Sequence, residues 1–139
     1  MSKIKPLFIK IIFFILDAVI VVLSALPMSS VLKFGTVNDN GEPGVLLKYY
    51  SSFDPTNLGY ANFGPFVSAY LAAILLAVIL VFFFLKSDKY KIIILAISTL
   101  GFLFSLIPFL IWIFTPFNAV ICCLWLVIVL ISSLLIFGK

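Results

Sequence analysis

Four separated runs of about 20 predominantly apolar residues dominate this chain, and each is long enough, at about 1.5 Å rise per residue, to cross a bilayer as a helix. They extend from about Leu7 to Met28, from Pro65 to Leu85, from Ile92 to about Phe114 and from Ala119 to Phe137. A soluble domain of 139 residues has no means of hiding them. Hydrophobic residues make up 65% and charged residues 10%, against about 45–50% and about 25% in soluble chains. Small domains leave much of their surface exposed, so lipid is the solvent that such a composition requires. The expected fold class is an all-α membrane protein. It is a four-transmembrane-helix up-down bundle, one membrane domain over residues 1–139, with an extracellular loop at 29–64.

Each span has its own boundary signal. Pro65 suits a first helical turn, where a missing N–H costs nothing. Lys86-Ser87-Asp88-Lys89-Tyr90-Lys91 separates the second and third spans, and Thr115-Pro116-Phe117-Asn118 reads as a tight turn before the fourth. Pro108 is expected to kink the third. Short connections make consecutive spans neighbours. Asp17 in the middle of the first run speaks against a cleavable signal peptide with Leu23-Ser24-Ala25 as its processing site, so a retained helix is expected.

The net charge of +4 comes from lysine alone, with no arginine or histidine. Lys3, Lys5 and Lys10 precede the first span, Lys86, Lys89 and Lys91 lie between the second and third, and Lys139 ends the chain. The remaining connections hold Lys33 and Lys48, offset by Asp39, Glu42 and Asp54. With four spans every lysine-rich stretch falls on one side, which places both termini in the cytoplasm. Lysines beside apolar runs are a topology signal, not a nucleic-acid surface. The localisation expected is a multi-pass protein of a bacterial plasma membrane.

Within the membrane, helices meet through small residues. Ala69, Ala73 and Ala77 recur at a spacing of four in the second span, and Gly101 and Ser105 in the third; these are the expected packing faces. Cys122 and Cys123 are adjacent inside the fourth run and the loops hold no cysteine. A disulfide framework and a CxxC motif are both absent, and the pair reads as small packing residues. Without histidine, transition-metal ligation lacks its usual donors. No metal and no cofactor are implied.

The outer loop reads as a β-hairpin. Val31–Val37 is strand-like, Asn38–Gly44 is rich in turn residues around an Asn-Gly pair, and Val45–Phe53 forms a second strand. A lone hairpin is marginal in water, so it is expected to lie on the helix ends. Tyr49, Tyr50, Phe53, Tyr60 and Phe63 suit an interfacial aromatic belt. Together with Asp54 and Asn62 they are also the candidate binding residues of the loop. Asp39, Asn40 and Glu42 do not match the alternation of an EF-hand calcium loop.

The four-span plan with a β-rich first loop resembles claudins and tetraspan proteins in topology. The claudin Trp, Gly-Leu-Trp and paired loop cysteines are missing. Tyr50-Ser51-Ser52-Phe53-Asp54 followed by Gly59-Tyr60-Ala61-Asn62-Phe63-Gly64-Pro65 is similar to the first-loop segment of small four-span proteins of Gram-positive bacteria. That resemblance implies the same membrane plan and no activity.

Asp17 is the one acidic residue at membrane depth. An aspartate at a helix centre costs about 2.5–3.5 kcal/mol on insertion scales. The twelve Leu, Ile, Phe and Val residues between Ile11 and Leu26 return about 0.3–0.6 kcal/mol each, so the helix still inserts. Lys10, Asp17 and Ser24 repeat at seven and share a stripe facing the bundle interior. Three roles suit Asp17: a hydrogen bond to Ser98, Thr99 or Ser105, a pairing with a basic residue of a partner, or a place in a proton or cation path.

Chemistry-bearing constellations are scarce. There is no carboxylate pair at one depth, no nucleophile beside a base and no glycine-rich phosphate loop. The expectation is a non-enzymatic structural or interaction protein, or an accessory subunit, with lipid and a membrane-protein partner or a homo-oligomer as company. The alternative is a small transporter or oligomeric channel, in which Asp17, Ser68, Ser98, Ser105 and Ser132 would converge on one polar route.

Overall fold

The computed structural model describes residues 6–85 and 87–138; Lys3, Lys5, Lys86 and Lys139 of the topology argument lie outside them. The chain forms helix α1 (Pro6–Ala25), strands β1 (Ser30–Val37) and β2 (Pro43–Tyr50), a 3-10 helix (Pro55–Gly59), and helices α2 (Gly64–Phe84), α3 (Tyr90–Ser105), α4 (Ile107–Leu110) and α5 (Pro116–Phe137). Four helical stretches, with α3 and α4 counted together as Tyr90–Leu110, are long and apolar enough to cross a membrane.

α1 packs on α2 and α5, and α3 packs on the same two. The shared core is a column of Phe13, Ile20, Leu75, Ile79, Ile94, Ile121, Trp125 and Ile128, among others. Large apolar side chains such as Val22, Ile74, Leu103 and Leu134 point outwards instead. In water that outer surface would be a severe liability.

Two expected packing stripes fare differently. Gly101 and Ser105 are buried. In α2, Ala69 is buried, Ala73 is half-buried and Ala77 is exposed; the inner face is Ser68, Ala69, Ala72, Leu75 and Ile79. A strict spacing of four drifts off a face that repeats every 3.6 residues, which is why the alanine stripe turns out to exposed positions.

The third span ends earlier than its hydropathy implies. The helix breaks at Leu106, resumes for one turn and stops at Leu110, with Trp112 at φ 56 closing the turn. Pro108 has no N–H for the carbonyl of Phe104. That carbonyl sits against Gly64 at the start of α2, where an added Cβ would stand 2.5 Å from it. Thr115-Pro116-Phe117-Asn118, expected as a turn, is instead the opening of α5. Thr115 is the N-cap, Pro116 lies in the first turn, and Asn118 completes a reciprocal capping box.

β1 and β2 pair antiparallel from Ser30↔Tyr50 to Val37↔Pro43. Between them the Gly41 N–H donates to the Asn38 carbonyl (2.7 Å) and the Asn38 N–H to Glu42 (2.8 Å). Gly41 has φ 77, the left-handed position that a short hairpin loop gives to glycine. The second strand stops at Tyr50 rather than Phe53, because Ser51 and Ser52 turn in to the bundle.

Candidate functional site

The base of the hairpin is tied to the bundle by a buried knot of serine and asparagine side chains. α1 ends at Ala25, and its last carbonyls have no helical donor. The Ser24 carbonyl accepts from the Ser52 N–H (2.9 Å), the Ser29 hydroxyl (2.7 Å) and the Ser51 hydroxyl (3.1 Å). Ser29 Oγ in turn accepts from the Ser52 N–H at 2.8 Å. Ser30 donates to Asn57 Oδ1 (2.8 Å), and Asn57 Nδ2 donates to the carbonyls of Ser51 and Asp54.

Two more asparagines carry the ties across the molecule. Asn62 Nδ2 donates to the Val31 carbonyl (2.8 Å) and to that of Ile113 (3.2 Å). Asn118 Nδ2 donates to the Ser29 carbonyl (2.7 Å), while its Oδ1 accepts from the Thr115 N–H (2.8 Å). Asn118 thus caps one helix and anchors the chain leaving another. Ser29, Ser52, Asn57 and Asn118 are all buried, so each bond is made away from water, where an unmade one costs about 1–3 kcal/mol.

Beneath the knot, Ser24, Ser52, Ser68, Ser105 and Asn118 line a cavity of about 10 Å³ together with Pro65, Pro108 and Ile121. That is room for one water at most. Of the lining residues, Ser68 accepts at Oγ from the indole N–H of Trp125 (2.8 Å), whose ring abuts Gly101. Ser68 and Ser105 therefore meet at this layer. Ser98 and Ser132 do not join them: they donate to the carbonyls of Leu95 and Ile128 on their own helices. Thr99 bonds back to Leu95 and Ser105 to Phe102 in the same way.

Asp17 is fully buried, and neither carboxyl oxygen has a hydrogen-bond partner among the described residues. The expected bond to Ser98, Thr99 or Ser105 is absent, because each of those hydroxyls satisfies itself on the preceding helical turn. Lys10, Asp17 and Ser24 do share one face of α1, with Lys10 half-buried. At seven residues apart they stand about 10 Å from one another along the axis and serve three separate layers. Lys10 donates to the carbonyls of Phe82 and Leu85 at the end of α2. Cys122 is half-buried and Cys123 exposed on α5.

Above the knot the hairpin stands clear. In an antiparallel pair, directly opposed residues share a face. Val37, Val45, Leu47 and Tyr49 lie on one face and are 75%, 69%, 45% and 49% exposed. The other face is partly covered, since Tyr60 packs edge-on against Phe34 (5.1 Å) and Lys48 lies over the same ring. The seven loop residues singled out from the sequence do not form one cluster. Tyr49 and Tyr60 are exposed; Phe53 packs on Tyr70 and Phe63 on Phe104. Tyr50 is half-buried, Asn62 is a buried tie and Asp54 caps the 3-10 helix through the Thr56 N–H (2.8 Å). Val37, Val45 and Leu47, which share this face with Tyr49 and with the exposed Lys33 opposite Leu47, carried only a strand signal in the sequence.

No protein-family model, curated protein or solved structure is significantly similar to this chain.

Proposed function

We propose that this chain is a non-enzymatic integral membrane protein, a four-span up-down bundle of a bacterial plasma membrane with both termini in the cytoplasm. Its task is to present the outer hairpin to a partner membrane protein, as an accessory subunit or interaction module. The observation that carries this is the exposure of the hairpin's apolar residues above a fixed base. One face holds Val37, Val45, Leu47 and Tyr49 open, although the strands are fixed at their base by buried hydrogen bonds. Anchoring of that kind lowers the entropy lost on docking, and exposed apolar residues on a fixed platform are what a recognition surface needs.

The packing of the interior argues in the same direction. A transporter needs a route through the midplane, whereas these helices meet through a buried apolar cluster that includes Phe13, Ile20, Leu75 and Trp125. The four-span likeness to Gram-positive membrane proteins fits this placement. The test is affinity purification of the tagged protein from native membranes in mild detergent, wild type beside Leu47→Asp. A stoichiometric partner that is lost in the variant supports an interaction module; the same partner retained by the variant removes the hairpin face from the interface.

One observation favours the second function, a small transporter or oligomeric channel with Asp17 in its path. That carboxyl is buried without a partner within the bundle. Flux through liposomes that Asp17→Asn abolishes would establish transport and displace the interaction role.

A further inference from the structure

The opposite end of the bundle holds a second feature that the hairpin does not explain. Pro6, Lys10, Ser87, Asp88 and Tyr90 line a pocket of about 220 Å³ between the start of α1 and the entry to α3. Tyr90 is almost wholly buried, and its hydroxyl has no hydrogen-bond partner among the described residues. A buried O–H left unmade costs about 1–3 kcal/mol, so its presence needs a reason. The Lys10 ammonium lies 5.1 Å from the centre of the same ring. It donates to the Phe82 and Leu85 carbonyls, which uses two of its three N–H bonds. Among the described residues it meets no carboxylate.

The rest of the wall is compatible with an anion. Ser87 Oγ accepts from the Lys89 N–H, which leaves its own proton to donate. Asp88 is engaged by Lys91 at 3.2 Å, the one ion pair among the described residues. At this end Lys10, Lys89 and Lys91 therefore face a single acid. Lys10, Ser87 and Tyr90 all line the pocket, and among the described residues one N–H of Lys10, the Tyr90 O–H and the Ser87 O–H have no acceptor. Three donors around a positive charge match the unesterified oxygens of a phosphate. Leu7, Phe8 and Phe84 are exposed at the same end, where acyl chains would run beside them.

We propose that this pocket is a binding site for a phosphate group, carried by an anionic phospholipid whose headgroup sits between α1 and α3. Basic pockets between spans at a membrane surface recognise such headgroups. The site depends on the chain lying in a bilayer and is independent of what the hairpin binds.

Native mass spectrometry of the full-length protein tests it, with phosphatidylglycerol, phosphatidylcholine and inorganic phosphate as separate probes. One phosphatidylglycerol is expected to be retained in preference to phosphatidylcholine. Tyr90→Phe keeps the ring and removes only the unused hydroxyl, and should weaken that binding about tenfold while melting in phosphatidylcholine stays the same or rises, since an unpaired buried O–H has been removed. Lys10→Gln should weaken it about fivefold, whereas Lys33→Gln in the hairpin should have no effect. Equal retention of phosphatidylglycerol by wild type and Tyr90→Phe overturns the site. Inorganic phosphate that competes with the lipid on an equal footing assigns the pocket to the free anion and overturns the lipid source.

Discussion

Gly101 and Trp125 are in such close contact that a Cβ on the glycine would fall 2.5 Å from Cζ2 of the indole. The indole has no room to retreat, being fully buried and held by its N–H to Ser68. One glycine on α3, one aromatic on α5 and one serine on α2 thereby fix the closest approach of three helices. Gly101→Ala should destabilise the bundle by about 1–3 kcal/mol, as overpacking a tight core does. Thermal unfolding in detergent measures it, with loss of the blue-shifted Trp125 emission as the accompanying sign. Gly59→Ala, where nothing lies within 4 Å, is the matched control and should be neutral.

Asn118 joins the hairpin to α5, and its removal should be felt 89 residues away in the chain. Asn118→Ala deletes both a helix cap and the donor to the Ser29 carbonyl, at a cost of about 2–4 kcal/mol. Amide hydrogen exchange should rise in β1 and β2 while α2 and α3 stay protected. Asn118→Asp separates the two roles, since a carboxylate still caps but has no N–H for Ser29. Its cap would persist and the hairpin would still loosen.

How much of this was legible in the sequence depends on the range of the interaction. Hydropathy is local and cumulative, so the four long apolar helices were readable, with ends shifted by a few residues where prolines act. Pro27 lies beyond the end of α1 at Ala25, Pro108 cuts the third span short, and Pro116 begins α5 rather than interrupting a turn. The hairpin was readable from Asn38–Gly44 for the same reason. The knot was not. Ser29, Ser52, Asn57 and Asn118 are ordinary polar residues until the fold sets them together across 23 to 89 positions. The doublets Ser29-Ser30 and Ser51-Ser52, each beside a strand end, were the faint signal. Asp17 was conspicuous by its charge alone, but its lack of partners follows from hydroxyls that prefer their own helix.

Asp54 should make the loop sensitive to acid. Hydrogen bonding by Thr56, through its side chain first and its N–H second, lowers the Asp54 carboxyl below the ordinary value of 3.8. A carboxyl lowered in the folded state adds stability above its unfolded value, and that stability is lost as pH falls through the lower folded one. The 3-10 helix at Pro55–Gly59 should therefore be unchanged at neutral pH and loosen below 3.8. Asp54→Asn retains an acceptor and removes the proton site, so its turn should no longer respond to acid. Hydrogen exchange at Thr56 across a pH series distinguishes the two proteins, and an identical response in both would assign the acid sensitivity elsewhere.

A role for Asp17 inside the bundle and a role in assembly with another protein predict different outcomes. Burial of a polar group without hydrogen bonds costs about 1–3 kcal/mol, and both Asp17 oxygens are in that position. Asp17→Leu should therefore stabilise the isolated protein by about that amount in a thermal melt, while Asp17→Asn changes little because the amide remains unpaired. A loss of stability in Asp17→Leu would mean that the carboxyl has a partner inside the bundle after all. The native membrane adds the second arm. If a cationic or hydrogen-bonding group of another subunit meets Asp17, the leucine variant becomes the more stable protein and at the same time the solitary one. Stability gained together with a partner lost assigns the residue to assembly, because a purely internal packing residue changes the melt and leaves the purified complex intact.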